Sequence, residues 1–533
     1  MEHRDRDMTE VQVGKLIARF GRSEDGSFVL FALYLFLAMI LVGGLAVDIL
    51  RHDYARTRLQ NTIDSATLAA ADLNQTLDPT AVVNDYFDKA GVADALDSVE
   101  VSETINSRTV RAVAKATIPT WFISAVGVDD LGLTSGGTAR EAIQDVEISL
   151  VLDVSGSMTR DSKLTHLKTA ANKFIDAMLK DGDTNRRVSI SIIPYSSQVQ
   201  ADPRLLSQMT VTNRHGYSNC LDFGAGDFQT PAIDPSTSIV QTAHFDGVTS
   251  GMMMDESWAP CRTDSDMAPL YLQDDKSKLK DKINDLRGAG NTSVEIGLKW
   301  GMGLLDPTMR TALVNSGAAD SNFSERPYDY GRAQTIKVLI VMTDGQNTTQ
   351  YMLDPALYPN VESDVYVGYF GDNWRITIRD IEDGNRDRDG YYNEPYYVPG
   401  GDYWRSDPGN WARALTWPEV WANLSVRWHA WSGRADQHYY DSTKSAVYDA
   451  WYTDVVKSIG ASEKNNRMAD MCDTIKANGV VVYSIAFNIS EANSTLLKDC
   501  ASSGNNYFNV TGSQITYAFS AIATTINQLQ LIE

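Results

Sequence analysis

Asp153, Ser155 and Ser157 stand two residues apart in EISLVLDVSGSMTR (147–160), and Thr343, Asp344 and Gly345 close a second apolar run in LIVMTDGQNTT (339–349). In both places a β-like run ends on a carboxylate. That is costly in a buried strand unless something compensates the charge. In an open parallel sheet the carboxyl ends of strands are also where ligands bind. A tight turn through D-x-S-x-S could aim three oxygens at one point. Thr292, in GAGNTSVEIGL (288–298), sits on another loop entering a helix and could add a further oxygen. The set contains neither His nor Cys, so it suits a hard cation: Mg²⁺ first, with Mn²⁺ or Ca²⁺ also compatible. Serine and threonine hydroxyls are neutral. If they fill the inner shell while Asp153 and Asp344 act through waters, the ion keeps much of its charge and would accept a partner's carboxylate. D-x-S-x-S alone also suits a helix N-terminus; its combination with Thr292 and Asp344, in this order, favours the metal.

The elements that must position these residues alternate. Strand-like VEISLVLD, RVSISIIPY (187–195), KVLIVMTD (337–344), VVVYSIAF (480–487) and YFNV (507–510) are separated by helical KLTHLKTAANKFIDAML (163–179), VEIGLKWGMGLL (294–305), RMADMCDTIKANG (467–479), EANSTLLKDCA (491–501) and a final helix over about 514–530. Near-continuous apolar strands in this order predict an α/β fold, a mainly parallel sheet with helices on both faces, over 141–533. Stretches of about 200–285 and 350–465 break the alternation and are too long for ordinary loops. They are expected to be insertions with structure of their own. The second holds eight of the eleven tryptophans, which could form a local core or an exposed recognition surface. It also holds Asp383, Asn385, Asp387 and Asp389 in DGNRDRDG. That motif is part of a calcium loop lacking its distal acid, readable as a second Ca²⁺ site or as a solvated acidic turn.

Residues 28–47, FVLFALYLFLAMILVGGLAV, carry no charge and match the roughly 20 residues that a helix needs to cross hydrocarbon. The expected order is a cytoplasmic N-terminus (1–27), a transmembrane helix (28–49) and an extended helix leading into a small α+β region (50–140). The small region contains a helix at 79–90 and strands near 99–105 and 109–118. Arg4, Arg6, Lys15, Arg19 and Arg22 precede the span, which keeps the N-terminus inside and sends the rest outward. A cleaved signal peptide, with Gly44-Leu45-Ala46 as its processing site, is the competing reading, but the apolar run exceeds the usual core of roughly 7–15 residues. The chain holds 69 Asp and Glu against 47 Lys and Arg, a formal charge of −22. Such a charge repels phosphate backbones and argues against a nucleic-acid partner. Cys220, Cys261, Cys472 and Cys500 lack zinc or redox spacings. In an exported chain Cys220–Cys261 and Cys472–Cys500 are the natural disulfides, although four cysteines allow three pairings.

D-x-S-x-S at 153–157, Thr292 before SVEIGL and Thr-Asp-Gly at 343–345 resemble the metal-ion-dependent adhesion site of von Willebrand factor A domains. The resemblance implies a Rossmann-like sheet, with Ser155, Ser157 and Thr292 at the metal and Asp153 and Asp344 holding waters. It also implies a protein partner that completes the coordination with Asp or Glu. The two insertions are not typical of that family. Residues 25–71 resemble the leading segment of TadE/TadG-like proteins of Flp (tight adherence) pilus assembly. This second resemblance implies an inner-membrane anchor, a periplasmic or surface-exposed remainder, and pilus or pilus-assembly components as partners. An enzyme is not expected: the seven histidines are scattered, and G-x-S-x-G and G-x-x-x-x-G-K-[ST] are both absent. Two other readings stay open. One is a glycan-binding or glycoside-hydrolysing envelope protein that uses the Trp- and Asp-rich insertion; the other is a structural scaffold whose metal only stabilises it.

Overall fold

The structure, a computed structural model, describes residues 25–72, 75–104, 107–142, 145–179, 187–379, 395–401, 403–438 and 443–527. The acidic loop with Asp383, Asn385, Asp387 and Asp389 lies outside the described residues. The chain divides into two units, Met1–Ala142 and Ile143–Glu533.

The first unit opens on one helix, α1 (Asp25–Ala71). Its apolar first half is exposed, and the segment Phe28–Ala71 is long and apolar enough to cross a membrane. Further along, Leu59, Ile63, Ala66 and Ala70 are buried. Steps of three and four put them on one stripe of the helix. Helix α2 (Pro79–Lys89) packs there through Val83 and Phe87, as does an antiparallel sheet of β1 (Leu96–Thr104), β2 (Ser107–Pro119) and β3 (Asp130–Ala142). Val110, Ala112 and Ala114 of β2 alternate toward the helix. Strand β3 was not expected from the sequence, because DLGLTSGGTAREA lacks an apolar alternation. Gly137 shows why its composition is unusual: a Cβ there would lie 2.5 Å from Ile63 of α1.

In the second unit the described residues form a six-stranded sheet: β4 (Asp145–Asp153), β5 (Arg187–Tyr195), β6 (Leu270–Gln273), β7 (Thr335–Thr343), β8 (Val481–Phe487) and β9 (Tyr507–Val510), in spatial order β9-β8-β7-β4-β5-β6. Neighbours are parallel except β6, which runs against β5. Its helices are α3 (Lys163–Met178), α4 (Lys276–Asp285), α5 (Val294–Gly303), α6 (Ala461–Ala477), α7 (Thr495–Cys500) and α8 (Ile515–Asn527). Ile148, Leu150, Leu152, Ile340 and Met342 enter one core with α3, α4 and α8. The intervening Val151, Leu339 and Val341 enter the other with α5, α6 and α7. Two buried faces explain why these strands read as continuous apolar runs. The segments forming β6 and α4 were expected inside the first insertion and instead complete the sheet and its cover. A strand of four residues is too short to show a period. At the amino end of β4, the fully buried Arg326 donates to Asp145 Oδ1 (2.8 Å), the Val146 carbonyl (2.8 Å), Ser189 Oγ (2.6 Å) and the Arg187 carbonyl (2.7 Å). Buried Glu147 beside it pairs with Lys337 and accepts the Tyr328 N–H.

Both disulfides are present, Cys220–Cys261 in the first insertion and Cys472–Cys500 joining α6 to α7. The second insertion leaves and rejoins the sheet through an antiparallel pair, Gln350–Leu353 with Val456–Ile459, and carries an antiparallel sheet of its own. Its tryptophans divide between the local core and the surface. Trp421 is fully buried and stacked on Trp417 (5.5 Å), whereas Trp374 and Trp411 are 59% and 80% exposed. His429 stands edge-on to Trp421 and Trp451, and burial together with Arg434 holds its pKa well below the ordinary value. Below about pH 6.5 the unfolded chain therefore takes up a proton that the folded chain refuses. Stability is complete above that pH and falls on acidification by up to about 1.4 kcal/mol per pH unit. Raised carboxyls such as Asp153 act in the opposite direction, so the slope is expected in the difference between wild type and His429→Gln in denaturant titrations between pH 7 and 5, followed by tryptophan emission.

Candidate metal centre

The spatial order reverses between β4 and β7, because each continues outward from the other in opposite directions. A crevice opens at such a point beyond the carboxyl ends of the strands. Asp153 ends β4, and Asp344 follows the last residue of β7. The backbone after Asp153 turns so that Asp153 Oδ1 accepts the Ser155 N–H (2.8 Å), while Asp153 Oδ2 accepts the Thr343 hydroxyl (2.6 Å). Ser155 Oγ and Ser157 Oγ lie 3.0 Å apart, and Ser157 Oγ donates to Asp344 Oδ1 (2.6 Å). Three of the five residues expected at the site, Ser155, Ser157 and Asp344, are thus linked side chain to side chain across the strand ends, and Asp153 joins them through the Ser155 N–H. Thr292, also buried, comes from the loop before α5, which is tied to the same turn. The Gly156 N–H donates to the Gly290 carbonyl (2.9 Å), and the Ala289 N–H donates to the Val154 carbonyl (3.0 Å). The Thr292 hydroxyl makes no hydrogen bond among the described residues.

Sequence reasoning missed the residues that hold this arrangement. Lys163, at the start of α3, donates to Asp344 Oδ2 (2.8 Å). Its signal was available: a cation in the first turn opposes the helix dipole, so it needs a local carboxylate. Lys464 of α6 is fully buried and donates to the Thr292 carbonyl (2.8 Å), Ser293 Oγ (2.6 Å) and the Thr348 carbonyl (2.8 Å), with Glu295 3.6 Å away. It joins the Thr292 loop to the segment after Asp344. Asn347 Oδ1 accepts the Val294 N–H (2.8 Å) at the start of α5. Nothing in the spacing of Lys464 or Asn347 announces these contacts.

Asp153 is fully buried. Desolvation first, and the Asp344 charge second, push its pKa up to about 6, against the hydrogen bonds from Thr343 and Ser155. Lys163 neutralises Asp344 and makes no ion pair with Asp153. The pair of carboxylates therefore carries negative charge that one more cation would offset, and that cation would meet hydroxyls and carboxylates only. Among the described residues no three His, Cys, Asp or Glu side chains gather into a metal-holding group, and this site offers two carboxylates with hydroxyls. The residues present fit a hard, oxygen-seeking ion. Beside the site, a cleft of about 240 Å³ is lined by Ser197, Gly290 and Asn291 from the sheet unit and by Trp258 and Tyr351 from the insertions.

Several solved structures are similar to the chain. The von Willebrand factor domain of the type V pili tip protein Mfa5 from Porphyromonas gingivalis matches at 15% identity and a TM-score of 0.31, over 74% of this chain and 98% of that one. The pilus adhesin SpaC from Lactobacillus rhamnosus GG matches at 12% identity and 0.30, over 81% of this chain and 34% of that one. The pilus adhesin RrgA from Streptococcus pneumoniae matches at 11% and 0.28, over 81% of this chain and 49% of that one. The chain therefore spans about a third of SpaC and about half of RrgA. No curated protein matches its sequence. Residues 26–73 match the family model described as "Putative Flp pilus-assembly TadE/G-like". The chain thus opens with a TadE/G-like segment of the Flp pilus-assembly type, coincident with helix α1.

Proposed function

We propose that this is a membrane-anchored, non-enzymatic binding protein of Flp pilus assembly or pilus-related adhesion. In this reading its sheet unit is a von Willebrand factor A domain that grips a protein partner's Asp or Glu through Mg²⁺, with Mn²⁺ or Ca²⁺ as substitutes. The observation that carries the reading is the chain of hydrogen bonds joining Asp153, Ser155, Ser157 and Asp344 where the strand order reverses. When bound, the ion would supply an open coordination position to the partner's carboxylate. The protein's own residues prepare it. Asp153 and Asp344 bring two negative charges and Lys163 removes one, so a divalent ion leaves the site positive. Lys464 holds the Thr292 loop against the segment after Asp344, and the cleft beside Trp258 and Tyr351 gives a side chain a way in. The anchor helix places the sheet unit outside the cytoplasm, where the two disulfides persist.

The test uses the full chain in detergent with purified Flp pilus components. Binding is expected in Mg²⁺ and lost in chelator or on Asp153→Ala; binding that survives Asp153→Ala with the fold intact would sink the reading. If the metal only stabilises a scaffold, Asp153→Ala lowers stability and leaves partner binding intact at permissive temperature. The exposed Trp374 and Trp411 support glycan binding by the second insertion as the other reading. Under that reading, Trp411→Ala removes glycan binding and Asp153→Ala does not.

A further inference from the structure

The end of the apolar run in α1 carries a carboxylate, Asp48, whose side chain is 1% exposed. The segment after β2 covers it. Asp48 accepts the backbone N–H groups of Trp121 (3.0 Å), Phe122 (2.8 Å) and Ile123 (3.0 Å). Phe122 lies directly on the helix at Gly44, where a Cβ would sit 2.3 Å from the ring. Arg51, one turn further along, places its guanidinium 3.7 Å from the centre of the Trp121 ring and donates to the Pro119 carbonyl (3.2 Å). The loop is therefore clamped to the helix at a fixed height. Its outer side is apolar: Trp121 is 65% exposed and Val126 60%, with Phe122 and Val128 also exposed. Leu41 and Val47 of α1, three residues to either side of Gly44, are exposed as well.

We propose that the Trp121–Val128 loop is a membrane-seated wedge, resting in the interfacial layer of the bilayer that α1 crosses. The inference rests on the membrane-anchor reading of α1. At 1.5 Å per residue, Gly44 lies about 6 Å along the helix from Asp48, inside the last turn of a span of about 30 Å. That is the depth at which tryptophan partitions between headgroups and acyl chains. The polar neighbours fit the same level. Asp48 would face lipid at high cost if bare, and the loop's N–H groups satisfy it; the Arg51 guanidinium is stacked on the Trp121 ring and donates to the Pro119 carbonyl, so its charge is held at the same level. A lipid surface is the occupant because the exposed Trp121 and Val126 sit on a loop clamped to the apolar helix itself, at Gly44 and Asp48. The wedge sets the height of α1 in the bilayer and of the small unit built on it.

The experiment compares the full chain with Trp121→Phe in phosphatidylcholine vesicles, taking the difference of their emissions as the share due to Trp121. Bromines near the top of the acyl chains are expected to remove most of that share, bromines near the methyl ends less of it, and aqueous iodide little. If iodide quenches the share and bromolipid does not, while the chain resists alkaline extraction, α1 is an anchor and the loop is no wedge. A loop that serves a protein partner gives this same result in vesicles holding this chain alone. Release of the chain by alkali overturns both the anchor and the wedge.

Discussion

Asp153→Ala is expected to weaken Mg²⁺ binding by the full chain about 100-fold, the upper end of what loss of an outer-sphere partner costs. Calorimetry in detergent, with chelator-treated protein as the start, measures it. The size follows from position. Asp153 is fully buried at the strand end, aims both oxygens at the turn and the Thr343 hydroxyl, and is the carboxylate of the pair with no ammonium against it. Removing it strips the site of the charge that most needs a cation. The same substitution has two opposing effects on the metal-free fold. It orphans the Ser155 N–H, at about 1–3 kcal/mol for a buried group left unsatisfied, while the Thr343 hydroxyl keeps the Gly345 carbonyl (3.2 Å). It also relieves a buried charge facing Asp344. Unfolding in chelator is therefore expected to change little beside the loss of affinity. Wild-type affinity in Asp153→Ala would remove the metal from the site as drawn.

Arg326→Met is expected to do the reverse, lowering stability by about 3–5 kcal/mol, as for one partner removed from a buried ion pair, while Mg²⁺ affinity stays as in the wild type. Arg326 is fully buried between the amino ends of β4 and β5 and satisfies Asp145, two carbonyls and Ser189. Methionine fills similar space but removes the donors to the two carbonyls, Ser189 Oγ and Asp145 Oδ1, leaving Asp145 only Arg332 at 3.4 Å. From Asp145 to Asp153 is the full length of β4, eight steps of about 3.3 Å, so the two ends of the strand are separated functions. Denaturant midpoints read the first effect and calorimetry the second. Loss of Mg²⁺ binding in a folded Arg326→Met chain would show that the sheet transmits strain along β4.

How much was legible in the sequence depended on the range of the interaction. Hydrophobic periodicity is local, and it marked β5, β9 and the continuation of α1 beyond the apolar run. It could not mark β6, with four residues, or β3, whose Gly137 answers to a helix more than sixty residues earlier. The site divided in the same way. Apolar runs ending in Asp153 and Asp344 were visible because each carboxylate sits beside its own strand. Lys464 under the Thr292 loop and Asp48 under the Trp121 loop were not, and Lys163 was marked only by its place in the first turn of a helix. The acidic loop at Asp383–Asp389 stays as the sequence left it.

By itself the sequence determined most strands and helices of the sheet unit, where charge interrupts apolar runs, and that the strand-end side chains on offer are oxygen donors. Those are properties of neighbouring residues. Tertiary structure alone decided that β4 and β7 lie side by side where the strand order reverses, so that Ser157 reaches Asp344 across 187 positions. The physical reason is that strand order is set by crossovers and by packing on both faces of the sheet, which no local pattern encodes.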